Sequence, residues 1–282
     1  MLSIVIVTFN SAQFIKPCLD SIFKQQYQDF ETIVVDNGSP DGTIDFIKKN
    51  HPAVKLIVNK ENLGASCARN QGIRAASGEW ILTLDCDVVL ENGFLKEIME
   101  FAKDRKDLVG IIQPKILTQD AKRIFSCGIG TCGLRRFYDI GYNLTDATRF
   151  NVDVSVFGAC CAAALYRRKT LEELKDKYGY FDERFFFLFE DADLSWRAQK
   201  KGWECLYYPK ARCFHVGNSS STDKLTRRYL SFRNRNLTIL KNQNPILTLF
   251  MSPLYLLYDL PRFLFLAMKF KCRFPKFYQS QL

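Results

Sequence analysis

The fold is decided by the stretch Glu79-Trp80-Ile81-Leu82-Thr83-Leu84-Asp85-Cys86-Asp87-Val88. It begins as an almost continuous apolar run, which is typical of a strand buried on both faces of a parallel sheet. The run ends at two aspartates one residue apart, and in an extended chain such side chains point to the same side. Open α/β sheets bind ligands at the carboxyl ends of their strands, so Asp85 and Asp87 are predicted to hold Mg²⁺ or Mn²⁺ beside a nucleotide diphosphate. The alternative is a turn in which both carboxylates cap backbone amides.

Strands and helices alternate in the residues before this stretch. Apolar periodicity and turn residues predict strands at 3–8, 30–35 and 54–58, separated by helices that begin near residues 12, 43 and 65. Such alternation predicts a parallel sheet built from right-handed crossovers. No Gly-x-Gly-x-x-Gly turn and no Gly-Lys-Ser/Thr loop occurs in this half, which argues against a dinucleotide oxidoreductase and a P-loop NTPase.

Polar residues follow the first two strands, at the same predicted edge of the sheet as the two aspartates. Asp36 begins a tight turn and suits hydrogen bonding to a base or a ribose. Thr8 and Asn10 can hold the same nucleoside from the neighbouring strand. Alternatively, Asp36 only forms the turn through its own side chain.

Two further features of this half suit a ligand that carries phosphates. The segment Asn62-Leu63-Gly64 allows the backbone to approach a ligand closely. Arg69, which lies one helical turn farther on, either neutralises phosphate or pairs with an acid such as Asp85.

Residues 116–223 form the second half of the predicted core. Residues 118–153 are rich in glycine and follow no period, which predicts a functional loop or hairpin on the acceptor side. Residues 154–166 are small and apolar, which predicts a strand that runs past the ligand.

A second group of acids follows the aromatic run Phe185–Phe189. Glu190 and Asp191 begin a predicted helix, and acids at this end are favoured by the helix dipole, so capping alone explains them. Beside an aromatic wall, however, a carboxylate loses water and its pKa rises, as a general base requires. Both interpretations remain open, as they do for His215, which is either structural or a metal ligand.

The positive charge of the chain is concentrated at its C-terminal end. The sequence has 40 Lys and Arg against 30 Asp and Glu; eleven of these bases and one acid lie in residues 224–282, so residues 1–223 hold 29 of each. A neutral core with a basic tail is unlike a nucleic-acid-binding module. The tail is apolar from Pro245 to Met268 but interrupted by Pro253 and Asp259, which favours a helix lying on a membrane surface over a spanning one. The alternative is a pair of helices covering the core.

Length and cysteine usage set the broad class. A chain of 282 residues with 47% hydrophobic content can bury one large α/β core with an appendage. The ten cysteines follow no zinc-binding or disulfide pattern, and no leader peptide is recognisable, which favours a reduced, cytoplasmic setting.

The motifs together resemble glycosyltransferase family 2, and within it the rhamnosyltransferase-like branch. The resemblance covers roughly residues 3–240 and depends on the order of the motifs, since each is weak alone. The motifs are Ser3–Asn10, Val34–Ser39, Asn62–Gly64, Ala68–Asn70, Asp85–Asp87, Glu190–Asp193 and His215–Gly217.

This resemblance implies a GT-A fold, a nucleotide-sugar donor, Mg²⁺ or Mn²⁺, and inversion at the anomeric carbon. It implies that residues 1–115 bind the nucleotide sugar, with Thr8, Asn10 and Asp36 at the nucleoside. It also implies roles for the remaining candidates: Asp85 and Asp87 at the metal and diphosphate, His215 as a further metal ligand, Asp191 as the general base, and Glu190 beside it.

The predicted protein is therefore an inverting glycosyltransferase at the inner face of the cell membrane, acting on a glycan or a lipid-linked acceptor in cell-surface polysaccharide synthesis. A sugar-phosphate nucleotidyltransferase would use a similar sheet, but such enzymes usually begin with a glycine-rich loop, which Val7–Asn10 is not. The non-enzymatic alternative is a degenerate sugar-binding partner subunit.

Overall fold

Strands and helices alternate through the first half of the protein in this computed structural model, which describes residues 1–105, 108–217 and 222–270. The strands are β1 (Leu2–Thr8), β2 (Phe30–Asp36), β3 (Lys55–Val58), β4 (Trp80–Asp85), β5 (Val88–Leu90), β6 (Val109–Thr118), β7 (Ile124–Ser126), β8 (Ile129–Thr131), β9 (Phe137–Asp139), β10 (Val154–Ser155), β11 (Ala163–Arg167) and β12 (Glu204–His215). The α-helices are α1 (Ile15–Phe23), α2 (Thr43–Asn50), α3 (Ala65–Ala75), α4 (Phe94–Lys103), α5 (Arg168–Leu174), α6 (Glu190–Lys200), α7 (Lys224–Asn242) and α8 (Pro245–Phe270).

One sheet organises these elements, with the strand order β10-β12-β6-β11-β4-β1-β2-β3. Strands β1 to β4 run parallel to one another, and β6 and β12 are parallel to each other, whereas β11 lies antiparallel between β4 and β6. Strands β5 and β7 pair with β12 and β6, and β8 and β9 form a separate hairpin. This confirms the predicted α/β class with a central sheet flanked by helices, but the sheet is mixed: the β4-β1-β2-β3 half is parallel, whereas most pairings of the other half are antiparallel.

The central strands β1 and β4 are apolar on both faces because helices cover both sides of the sheet. Ile4 and Ile6 of β1 belong to one core layer with α1 and α4, whereas Val5 belongs to the opposite layer with α3 and α6. The register pairs Val7 with Asp85 and Thr8 with Asp36, so the polar strand ends lie at one level.

The prediction of one strand over residues 154–166 is wrong. Strand β10 pairs with β12 at the edge of the sheet, β11 lies near its centre, and residues 156–162 connect them. At Gly158 in this connection, the small residue allows the backbone to lie close to α6. A Cβ at Gly158 would lie 2.2 Å from the Ser195 hydroxyl oxygen on α6.

Helix α8 is continuous through Pro253 and Pro261 and packs against α7. A buried ion pair of 2.6 Å between Arg235 and Asp259 joins the two helices. By length and composition, Pro245–Lys269 could cross a membrane: it has a mean hydropathy of 1.2, and 17% of its 18-residue apolar stretch is buried. The basic residues at 271, 273 and 276 that the tail prediction also used lie outside the described residues.

Candidate active site

A cavity of about 520 Å³ opens at the carboxyl ends of β1 and β4. Its position follows from the parallel sheet, whose strand ends leave backbone groups and loop side chains facing one crevice. The predicted site residues that line it are Thr8, Asn62, Gly64, Arg69, Asp85, Asp87, Glu190, Asp191 and His215.

Asp85, Asp87 and His215 converge on one point of this cavity. One ligand atom from each lies within 4.8 Å of the other two. Asp85 ends β4, Asp87 lies in the turn before β5, and the antiparallel pairing of β5 with β12 places His215 opposite Val88. The sequence pattern predicts that the two aspartates lie side by side along an extended strand. In the structure a turn brings them together instead.

Two carboxylates and an imidazole form a donor set that fits a divalent cation of the Mg²⁺ or Mn²⁺ type better than a soft metal. His215 Nε2 lies 3.1 Å from Asp87 Oδ1, while its Nδ1 has no hydrogen-bond partner within the described ranges. Burial lowers the pKa of His215, whereas Asp87 and the neighbouring carboxylates raise it, and the net pKa lies above its ordinary value.

Arg69 forms ion pairs with two acids, Asp85 and Glu190. The pair with Asp85 is one of the two alternatives predicted from the sequence. The Arg69 side chain is 4% exposed, and its guanidinium donates to Asp85 Oδ1 and Glu190 Oε1, both at 2.7 Å. This side chain therefore connects Asp85, at the end of β4, with Glu190, at the start of α6. Asp85, Asp87 and His215 together are called the metal-type group below. Burial raises the pKa of Glu190 although the charge of Arg69 opposes this shift.

Asp191 lies in the first turn of α6 and faces the cavity. Its carboxylate accepts hydrogen bonds from the backbone amides of Ala192 at 2.8 Å and Cys161 at 3.4 Å. Burial nevertheless raises its pKa above the ordinary aspartate value. Asp191 thus accepts a hydrogen bond from a backbone amide of the first turn of α6, is half-buried, and forms no direct hydrogen bond with Arg69. These are properties of a general base.

Two predicted nucleoside residues, Asp36 and Asn10, do not line the cavity. Asp36 is fully buried, and its carboxylate accepts hydrogen bonds from the Thr8 hydroxyl at 2.6 Å and from the amide and hydroxyl of Ser39, both at 2.7 Å. The backbone amide of Asn10 donates to the same Ser39 hydroxyl at 2.9 Å. The geometry corresponds to the turn-forming alternative, and nucleoside binding by these two residues stays a prediction.

Gly64 allows a close approach of the backbone to Phe186, and the predicted approach to a ligand stays a prediction. Its φ is +86°, and a Cβ there would lie 2.4 Å from the ring of Phe186. Asn62 accepts a hydrogen bond from the Gly64 amide at 2.9 Å, which shapes this turn. The segment therefore supports the loop Phe185–Phe189, hereafter the aromatic loop, and it also lines the cavity.

Asp139 is a cavity residue that sequence reasoning missed. It ends β9, inside the glycine-rich region that was expected to contribute a functional hairpin, and that region does line the cavity. Burial raises the pKa of Asp139 to about 6, and the charge of Asp191 adds to the shift. The sequence feature that could have indicated Asp139 as a site residue is the short pattern Phe137-Tyr138-Asp139, in which an acid directly follows two aromatic residues.

A clamp on the aromatic loop was also not predicted. Phe186, Leu188 and Phe189 have φ values of +66°, +69° and +72°, a region that costs non-glycine residues energy unless the surroundings impose it. The buried amide of Asn234 on α7 donates to three carbonyls of this loop, those of Phe185 at 3.0 Å, Phe187 at 2.9 Å and Leu188 at 2.8 Å. Asn234 thus holds the segment that leads into Glu190 and Asp191.

Replacing Asn234 by Asp is expected to lower the rate of the predicted sugar transfer about 100-fold, because displacement of catalytic groups by about 1 Å has effects of this size. The carboxylate has no donor and would repel the three carbonyls. Transfer rate and nucleotide affinity are measured separately, with the exposed Asn50→Asp exchange as the control. Unchanged transfer in a folded Asn234→Asp protein would contradict this role.

Solved structures identify the fold as GT-A. GalNAc-T7 with UDP, GalNAc and Mn²⁺ matches with a TM-score of 0.64 at 16% identity, over 85% of this chain and 47% of that one. The mannosyltransferase PcManGT from Pyrobaculum calidifontis, in complex with GDP-Man and Mn²⁺, matches with a TM-score of 0.61 at 18% identity, over 99% of this chain and 82% of that one.

Sequence comparison then gives the family. The model described as Glycosyl transferase family 2 matches residues 3–175, and the chain belongs to this family. The poly-beta-1,6-N-acetyl-D-glucosamine synthase of Staphylococcus epidermidis is 26% identical over 227 residues, 76% of this chain and 49% of the relative. A PGL/p-HBAD biosynthesis glycosyltransferase of Mycobacterium bovis is 40% identical over 90 residues, 31% of this chain and 35% of the relative. The chain thus spans half or less of the length of these curated relatives.

Proposed function

We propose that the protein is a metal-dependent, inverting glycosyltransferase. It would move a sugar from a nucleotide diphosphate sugar, of the dTDP-rhamnose or UDP-hexose type, to a hydroxyl group of a glycan or lipid-linked acceptor. The observation that carries the proposal is that two kinds of group line one cavity. The metal-type group of Asp85, Asp87 and His215 is a candidate metal-binding site, and Asp191 is a partly desolvated carboxylate that forms no ion pair with any residue the structure describes.

Each group has a distinct task in this proposal. Asp85, Asp87 and His215 hold Mg²⁺ or Mn²⁺, which when bound neutralises the charge of the departing diphosphate. Thr8, with the turn built by Asn10 and Asp36, and the 62–64 segment accommodate the nucleotide.

Catalysis itself is assigned to the carboxylates at the start of α6. Asp191 accepts the proton of the acceptor hydroxyl while the oxygen attacks the anomeric carbon from the face opposite the diphosphate, which inverts the configuration. Glu190, held by Arg69, orients this region and keeps the guanidinium beside Asp85.

Two alternatives are less well supported. A sugar-phosphate nucleotidyltransferase needs a loop that cradles a triphosphate, and Phe9, Asn10 and Ser11 after β1 are not glycine. A degenerate binding subunit has no use for Asp191, whose pKa is raised by burial beside the cavity.

The setting proposed for the reaction is cell-surface polysaccharide synthesis at the inner face of the membrane. The name of the Staphylococcus epidermidis relative supports a polysaccharide product. Helix α8 supports membrane contact, because Ile246, Leu249, Phe250, Leu256 and Leu257 are each 70–80% exposed. In this proposal residues 1–223 are the transferase domain, divided near residue 115 into donor and acceptor halves, and residues 224–282 are a basic helical tail.

Calorimetric titration with UDP, dTDP and GDP, each with and without Mn²⁺, tests the donor site. We expect one nucleotide to bind only with the metal, and the Asp85→Asn exchange to weaken that binding at least tenfold because a charged ligand is lost. The exposed Asp104→Asn exchange is the control and should leave the affinity unchanged. Absence of metal-dependent binding by any of the three nucleotides to the folded protein would favour the degenerate subunit.

A further inference from the structure

A second cavity, of about 640 Å³, lies between α7 and α8. Arg227 and Arg228 of α7 and Arg262 of α8 line it, together with apolar residues, and its lining contains no Asp or Glu among the residues that the structure describes. The apolar lining consists of Leu188, Phe232, Pro261, Phe265 and Leu266. The groove thus combines concentrated positive charge with an apolar floor.

Two of the arginines have a fixed place beside this floor. The Arg228 guanidinium lies 4.9 Å from the centre of the Phe265 ring. Arg262 Nη1 lies 3.8 Å from Asp259, whose other carboxylate oxygen is taken by Arg235 at 2.6 Å. Asp259 is therefore neutralised mainly by the buried Arg235, and the positive charges of Arg228 and Arg262 remain available to an anion.

The groove is continuous with the candidate active site. Leu188 and Arg227 line both cavities, and Leu188 precedes Glu190 by two residues. A head group held by the groove arginines would therefore lie next to the cavity that contains Asp191.

We propose that this groove binds a phosphorylated membrane lipid, with its phosphate on Arg228 and Arg262 and the start of its chain on Phe232, Phe265 and Leu266. This inference rests on the proposed function, since it makes the lipid the carrier of the acceptor saccharide. A membrane source is favoured over a soluble phosphate because α8, one wall of the groove, exposes apolar side chains along its length.

The charge complementarity predicts which compounds bind. Dodecyl phosphate, used below its micelle-forming concentration, should bind, whereas dodecyl maltoside, which has the same chain and an uncharged head, should bind at least tenfold more weakly. Inorganic phosphate should also bind at least tenfold more weakly, because it lacks the chain that covers the apolar floor.

The decisive variant replaces Arg228 and Arg262 together by Gln, which retains much of the apolar stem of each side chain. We expect it to bind dodecyl phosphate at least tenfold more weakly and to bind its nucleotide with Mn²⁺ unchanged. The matched control replaces the exposed Lys48 and Lys49 of α2 by Gln and should change neither affinity.

Three outcomes overturn the inference. Unchanged dodecyl phosphate binding by the double variant excludes the two arginines, equal binding of dodecyl maltoside leaves only an apolar groove, and equal binding of inorganic phosphate indicates a soluble anion. Nucleotide titration on the same samples separates the two proposals. Nucleotide binding without lipid binding would refute the groove alone, and lipid binding without nucleotide binding would refute the donor site.

Discussion

The Asp191→Asn protein is expected to transfer sugar 10²–10⁴ times more slowly than the wild type and to bind nucleotide with Mn²⁺ equally well. This range is what general-base catalysis contributes in enzymes. The amide cannot take the proton of the acceptor hydroxyl, and Asp191 is not a member of the metal-type group on β4 and β12. Initial rates and calorimetric affinities, measured on the same preparation, check the two halves of the prediction.

The pH profile gives an independent readout of the same side chain. Burial raises the pKa of Asp191, and a base is active when deprotonated, so the wild-type rate should rise as pH increases through that raised pKa. The variant should lack this rise, since the amide does not titrate.

The control for Asp191 must separate catalysis from helix capping. Asp45 lies in the first turn of α2 and is exposed, so Asp45→Asn removes an acid from an equivalent helix position far from the cavity. It should leave transfer unchanged. If Asp191→Asn loses nucleotide affinity and transfer to the same extent, Asp191 is structural and the assignment of the base fails.

The Lys241→Met protein is expected to lose about 3 kcal/mol of unfolding free energy, at the lower end of the range for breaking a buried ion pair. Lys241 of α7 donates to Asp182 at 2.8 Å and to Asp193 of α6 at 3.0 Å, and both carboxylates are fully buried. Arg184 and Arg197 still pair with these acids in the variant, so the effect is smaller than for two unpaired charges. Urea unfolding followed by circular dichroism measures it.

The pH dependence of this loss follows from Asp182. Burial raises its pKa, but hydrogen bonds from Arg184 and Lys241 outweigh burial and hold it below the ordinary value of 3.8. The stabilisation is therefore complete above pH 3.8 and is lost as pH falls through the lowered pKa. The wild type and the variant should converge in stability at strongly acidic pH.

An exposed ion pair provides the control for Lys241. Lys16 and Asp20 form an i, i+4 pair at 2.6 Å on the surface of α1, and such pairs contribute between about 0 and 1 kcal/mol. Lys16→Met should therefore change stability by less than about 1 kcal/mol. A similarly small change in Lys241→Met would mean that α7 is held on the core by its apolar contacts instead.

The sequence by itself determined the features that local burial encodes. A strand buried on both faces must be apolar throughout, so β1, β2 and β4 are recognisable, and α2 begins at Thr43, as predicted. Asp85 and Asp87 are recognisable because they lie within three residues of each other at the end of such a strand. Residues 154–166 were mistaken for one strand because small apolar residues serve equally in strands and in segments of close approach.

Only the tertiary structure decided which distant residues meet. Arg69 reaches Glu190 across 121 residues, His215 reaches Asp87 across 128, and Asn234 reaches the aromatic loop across 46 to 49. These contacts depend on the order and register of the strands and on where α7 returns to the core. The periodicity of a single segment encodes neither the strand order and register nor the position of α7. Each of these contacts forms only when two separate elements have packed against each other.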